Sequence, residues 1–157
     1  MALEFSSETL RKFEETVARY PKKEAAILPV LYLAQQEFGC LSAEAIEYVA
    51  RLMEQSPARV QGVVSFYTMF NTKPIGRHHI QVCRTLSCAL GGAERITAFI
   101  KRKLAIDIGQ TTADGRFTLS EVECLASCGT APMMQINDDY YENLTEEKTE
   151  KILDSLK

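Results

Sequence analysis

Two tight pairs of cysteines constrain this chain more than any other feature. Cys83 and Cys88 enclose Arg-Thr-Leu-Ser in a C-x4-C loop, and Cys124 and Cys128 enclose Leu-Ala-Ser in a C-x3-C loop. A fold must either gather these loops around one centre or find separate uses for them. The opening residues, Met-Ala-Leu-Glu-Phe-Ser-Ser-Glu, lack a basic segment followed by an apolar run, so no secretion signal is expected. Glu4 and Glu8 also disfavour an organelle transit peptide. In a reducing compartment, paired cysteines bind metal more often than they form disulfides.

Structural zinc favours C-x2-C knuckles, and a thioredoxin-type redox motif is C-x-x-C at the start of a helix. Neither pair matches. Iron–sulfur clusters take four cysteines in varied spacings, although this spacing differs from the plant-type pattern. Spacing therefore favours a cluster and leaves zinc open. Such a centre carries negative charge, and hydrogen bonds to its sulfurs tune it. Thr85, Ser87, Ser127 and Thr130 are small donors beside the cysteines, while Gly91, Gly92 and Gly129 permit close backbone approach. A helix starting near Ala89 is expected to aim its positive end at the centre. His78 and His79 are rival ligands of the kind used in Rieske centres. Adjacent strand residues face opposite ways, however, so both are read as structural. Met133 and Met134 read as sheet core. Cys40, between Gly39 and Leu41, reads as a small buried apolar side chain at a helix end.

Residues 1–75 read as a helical domain. Ser6 or Ser7 caps a first helix through Leu10, Phe13, Val17 and Tyr20, which Pro21 ends. A second runs from about Lys23 to Phe38 and closes at Gly39, with Pro29 either kinking it or delaying its start. Ser42 caps a third, with Ile46, Val49, Ala50 and Met53 facing inward. Pro57 opens a fourth through Val60 and Val64. A run of short helices can also be a DNA reader, but the last helix offers only Arg59, and the net charge of −3 leaves no basic patch for phosphates. No nucleic-acid partner is expected. The segment Val63–Phe70, with three aromatics, reads either as core or as a contact surface for a partner subunit. The longest apolar run, Ala25 to Ala34, is half the about twenty residues a membrane helix needs, so no membrane span is expected.

Asn71-Thr72-Lys73-Pro74-Ile75-Gly76 is turn-rich and marks a boundary. Residues 76–157 then read as a small α/β domain: a strand over His78–Cys83, a basic-ended helix through Ile96 and Ile100, and an Asp114-Gly115 hairpin leading into Phe117–Val122. A second hairpin turns at Asn137-Asp138, and Thr145 caps a final helix carrying Ile152, Leu153 and Leu156. The overall class is α+β.

The runs Val63-Val64-Ser65-Phe66-Tyr67-Thr68-Met69-Phe70, Cys83-x4-Cys88, Thr111-Thr112-x-Asp114-Gly115 and Glu123-Cys124-Leu125-x-x-Cys128-Gly129-x-Ala131-Pro132 occur in order. Together they resemble the small [2Fe–2S] subunit of NADH:quinone oxidoreductase, respiratory complex I. The resemblance spans nearly the whole chain. Ala126 stands where many relatives carry glycine, which asks more of the loop backbone, and Cys40 has no matching role. The resemblance implies a helical N-terminal part and a thioredoxin-like domain holding one [2Fe–2S] cluster on Cys83, Cys88, Cys124 and Cys128. It also implies a heterodimer with a flavoprotein subunit that carries FMN and binds NADH. The expected function is one-electron exchange with that flavin, in an oxidoreductase subunit not catalytic on its own. The expected location is cytoplasmic, peripheral on the inner face of the membrane through the complex. The cysteines alone do not separate this from the equivalent subunit of an NAD-reducing hydrogenase or formate dehydrogenase. A zinc-stabilised interaction module is the reading from another class.

Overall fold

A computed structural model describes residues 3–156. Met1, Ala2 and Lys157, included in the two expected domains, lie outside the described residues. The chain divides between Pro74 and Ile75 into two units.

The first unit is helical. Ser6 accepts the Thr9 N–H and caps α1 (Ser7–Val17), while Ser42 and Ser56 do the same for α3 (Ala43–Met53) and α4 (Pro57–Phe66). These hydroxyls satisfy donors that a helix start leaves without partners. Lys23–Ala26 forms a 3₁₀ turn and α2 covers Ile27–Phe38, so Pro29 lies in the opening turn, where its missing N–H costs nothing. Gly39 ends α2 at φ 79°, a left-handed conformation that glycine takes without strain. Phe13, Val30, Leu31, Val49, Met53, Val60 and Val64 are buried together. Two details depart from the sequence reading. The first helix stops at Val17, and Leu10 and Tyr20 remain exposed rather than joining its apolar face. Cys40 is half-buried, because it lies in the open turn after Gly39 rather than on a packed helix face.

The Val63–Phe70 segment divides along its length. Val64 and Phe70 enter the core, while Phe66, Tyr67 and Met69 point outward. Gln35 secures the end of the run, donating to the Met69 carbonyl at 3.0 Å and accepting the Asn71 N–H at 2.6 Å.

The second unit is a four-stranded sheet with helices. Its strands are β1 (His78–Cys83), β2 (Phe117–Val122), β3 (Met134–Ile136) and β4 (Asp139–Tyr141), in the spatial order β2-β1-β3-β4. β1 and β2 run parallel, so the chain must cross over between them, and it does so through α5 (Leu86–Leu90) and α6 (Ala93–Leu104). β3 is antiparallel to β1, and β4 to β3. Ile80 and Val82 of the central strand are buried with Ile96 and Ile100 of α6, Leu119, Met133, Met134 and Leu153 of α7 (Glu146–Ser155). Gly115, at φ 69°, closes the expected Asp114-Gly115 turn, although Thr111 contributes a single bridge to Thr118 rather than a strand.

Candidate metal centre

Strand register explains how cysteines distant in sequence meet. Cys83 ends β1 opposite Val122, the last residue of β2, so Cys124 emerges two residues beyond the same end of the sheet. β3 returns antiparallel with Met134 opposite Val82, and the Met133 carbonyl accepts the Cys83 N–H at 3.3 Å. The Cys128 loop therefore enters β3 from that end as well. Cys88 sits on α5 directly after β1. The C-terminal ends of parallel strands are where open α/β sheets place their sites.

The helix near the centre differs from expectation. It begins at Leu86 rather than near Ala89, holds Cys88 within it, and breaks at Gly92, whose φ of 94° starts α6 afresh. Gly91 allows close packing, since a Cβ there would lie 3.1 Å from the Pro132 nitrogen. The peptide between Ala131 and Pro132 is cis.

The two pairs occupy different environments. Cys83 and Cys88 are buried, while Cys124 and Cys128 are exposed, with their sulfurs 3.5 Å apart. Two sulfurs bound about 2.3 Å from one tetrahedral metal lie roughly 3.8 Å apart, so the exposed pair is spaced to grip an ion. Among the described residues, no three His, Cys, Asp or Glu side chains gather where a single ion would sit. A [2Fe–2S] centre asks for two thiolates on each iron, and two pairs of cysteines fit that demand.

Hydrogen bonding divides the thiols. Burial pushes Cys83 up, but the Thr85 hydroxyl and N–H, the Leu125 N–H and Cys88 together outweigh it, so its pKa falls below the usual value. Burial, then Cys83, raises Cys88. The Ala126 N–H, 3.3 Å from the sulfur, is the main cause of the lowered Cys124 pKa, followed by Cys128 and Thr85. Cys124 raises Cys128, partly offset by Ser87. Thr85 thus acts on one cysteine of each pair, and its hydroxyl lies 3.3 Å from the Cys83 sulfur. Thiolates are the metal-binding form, and donors of this kind favour them.

Thr85 and Ser87 therefore serve the sulfurs as expected, whereas Ser127 and Thr130 do not. Both of those hydroxyls donate to the Glu142 carboxylate, Thr130 at 2.8 Å. The His78 ring packs on Phe117, and His79 Nε2 lies 2.8 Å from the Ser120 hydroxyl, with burial lowering its pKa. Glu142, Tyr140 and the Arg84–Glu123 ion pair border the site without having been foreseen. A lone glutamate or tyrosine in a hairpin usually faces water, and only the folded register brings these to the loop.

This architecture, with its cysteine pairs at one end of the sheet, is that of a thioredoxin-like domain. The thioredoxin-like [2Fe–2S] ferredoxin family matches residues 13–157, and the chain belongs to it. Within that family it belongs with the E-type subunits of NADH-quinone oxidoreductase. It is 50% identical over 153 residues to the E-type subunit of that enzyme from Rickettsia felis, covering 96% of this chain and 92% of that one. The Rickettsia bellii protein of the same name is 49% identical over 156 residues, 98% of this chain and 93% of that one. The mitochondrial NADH dehydrogenase [ubiquinone] flavoprotein 2 of Dictyostelium discoideum is 46% identical, covering 98% of this chain and 64% of that one. The air-oxidised NAD⁺-reducing [NiFe]-hydrogenase shares the fold, with a TM-score of 0.73 at 22% identity over 83% of this chain and 22% of that one.

Proposed function

We propose that Cys83, Cys88, Cys124 and Cys128 hold one [2Fe–2S] cluster. In this reading the chain exchanges single electrons with the FMN of an NADH-oxidising flavoprotein partner within NADH:quinone oxidoreductase. The carrying observation is the register Cys83↔Val122, which delivers both cysteine loops to one end of the sheet. The cluster, when bound, supplies one-electron storage. The chain's own residues divide the remaining work. Cys83 and Cys88 anchor the centre from the buried side, Cys124 and Cys128 present it toward solvent, and Thr85 and Ser87 offset the gathered negative charge.

No G-x-G-x-x-G follows a strand in the sequence, so hydride chemistry belongs to the partner's flavin. A partner surface is supported beside the site by Leu86 and Leu90, one turn apart on α5 and exposed at 75% and 82%. In the helical unit, Phe66 is exposed at 77%. Among the described residues no helix is long and apolar enough to cross a membrane, so the membrane is reached through other subunits of the complex. The names of the relatives support the quinone-reducing complex. The likeness to the hydrogenase, at 22% identity, speaks to fold alone.

The test is iron and acid-labile sulfide analysis of the purified chain, with visible spectra before and after dithionite. About two of each per chain, with bleaching on reduction and loss in each Cys→Ser variant, is the expected result. A colourless chain holding one zinc would overturn the reading. Co-purification with the NADH-binding subunit of a hydrogenase or formate dehydrogenase would overturn the assignment to the quinone-reducing complex.

A further inference from the structure

We propose that β4 and the two residues after it clamp the second cysteine loop, with Glu142 as the positioning residue that fixes Cys124 and Cys128. This rests on the four-cysteine reading above. The loop from Cys124 to Thr130 has little structure of its own: one 3₁₀ turn at Cys128–Thr130, a Thr130 N–H to Ser127 carbonyl bond of 3.2 Å, and the Ala126 N–H on Cys124. Its cysteines are exposed, so packing does not hold them. Cys83 and Cys88, by contrast, are set by the central strand and α5.

Three residues of one short segment secure the loop. The Tyr140 hydroxyl donates to the Leu125 carbonyl at 3.0 Å. The Glu142 carboxylate accepts from Ser127 and Thr130, which flank Cys128 and whose hydroxyls lie 2.7 Å apart. The Asn143 N–H donates to the Thr130 carbonyl at 2.7 Å, with Asn143 in the left-handed region at φ 48°. The clamp is itself braced. Tyr140 pairs with Gln135 in the sheet, and Lys148 Nζ donates to the Glu142 carbonyl at 2.6 Å. Two hydroxyls on one carboxylate oxygen are charge-assisted bonds, stronger than neutral ones. Glu142 therefore holds the loop most firmly, and Tyr140 supports it.

The full chain, reconstituted with iron and sulfide, is followed for bleaching of visible absorption under a ferrous chelator. The reduced form is examined by electron paramagnetic resonance, and the metal-free chain by urea unfolding. Glu142→Ala is expected to bleach at least about tenfold faster than wild type, with an altered resonance spectrum, since either one of its two charge-assisted hydrogen bonds is alone worth about that factor. The metal-free urea midpoint should stay close to wild type, and Glu142→Gln, which keeps an acceptor oxygen, should recover most of the difference. Bleaching at the wild-type rate with an unchanged spectrum would overturn the clamp. Equal fragility in Glu142→Gln and Glu142→Ala would overturn the role of the acceptor oxygen. If Glu142→Ala fails to fold, Tyr140→Phe decides: faster bleaching supports the clamp, and a wild-type rate overturns it. A wild-type chain that never develops visible absorption would instead sink the four-cysteine reading.

Discussion

The Arg84 guanidinium grips the Glu123 carboxylate between the two cysteine loops, with Nη2 at 2.6 Å and Nε at 3.1 Å from the same oxygen. Arg84 follows Cys83 and Glu123 precedes Cys124, so the pair joins the chain where it leaves β1 and β2. Both side chains are well exposed, and exposed ion pairs contribute little to stability. Their effect on the proposed centre is electrostatic. Reduction adds negative charge, so removing one partner leaves the other's charge to bias it. Glu123→Gln is expected to raise the reduction potential and Arg84→Gln to lower it, each by roughly 20 mV, the effect of a unit charge about 10 Å away through water. A redox titration checks the signs, and both shifts should shrink at about 1 M salt.

Ala126 sits at φ 62°, where a Cβ crowds the following carbonyl, and that strained backbone aims its N–H at Cys124. Glycine adopts this conformation without the clash but loses more freedom on folding. Ala126→Gly is therefore expected to change stability by less than about 1 kcal/mol in the stabilising direction. Ala126→Val, with a branched Cβ, should lose iron readily and unfold at lower urea. Urea midpoints and iron content of the three proteins check this.

Ala126 also shows where sequence reading reaches its limit. Its departure from a glycine position was visible in the letters, but the bond it directs at Cys124 depends on loop geometry. Capping serines, Gly39, the Asp114-Gly115 turn and the β1 and β2 strands were legible because each is set by neighbours a few residues away. The interrupted helix around Cys88 was less so, since two glycines suit close packing as readily as a break. Ser127 and Thr130 looked like donors to sulfur because they adjoin Cys128 in sequence. Glu142, a hairpin away, competes for both, and only the β3–β4 pairing brings it within reach. The division of Val63–Phe70 into buried and exposed residues was likewise hidden, because it depends on where Gln35 holds the chain.

Ile80 is fully buried on the central strand, opposite Leu119 of β2 and Ile136 of β3. Truncation leaves a cavity that neighbouring strands cannot easily fill. Ile80→Ala is expected to cost about 2–5 kcal/mol. Ile108, 46% exposed, supplies the control, and Ile108→Ala should change stability by less than about 0.5 kcal/mol. Urea unfolding of the metal-free chain separates these outcomes, and the Ile80 variant should also retain less iron, since the same strand ends in Cys83.

Glu37 of α2 holds the start of α1. Its carboxylate accepts the Thr9 hydroxyl at 2.6 Å and the Ser6 N–H and hydroxyl, each at 3.2 Å. The Thr9 bond, then those from Ser6, keep its pKa below the usual carboxylate value despite some opposing desolvation, and Lys12 adds a weaker attraction. A folded value below the unfolded one means that the unfolded chain takes up the proton first. The stabilisation is then fully present above the ordinary glutamate range, near pH 4.3, and is lost as pH falls through the depressed folded value. Glu37→Gln removes the ionised acceptor at every pH. At neutral pH the variant is expected to exchange the Thr9 and Leu10 amides faster than wild type, because the capped first turn frays. That difference should shrink as pH falls below about 4 and vanish once wild-type Glu37 is protonated. Amide exchange measured against pH, corrected for intrinsic rates, checks it. A difference that stayed constant into acid would show that shape rather than charge secures the helix start.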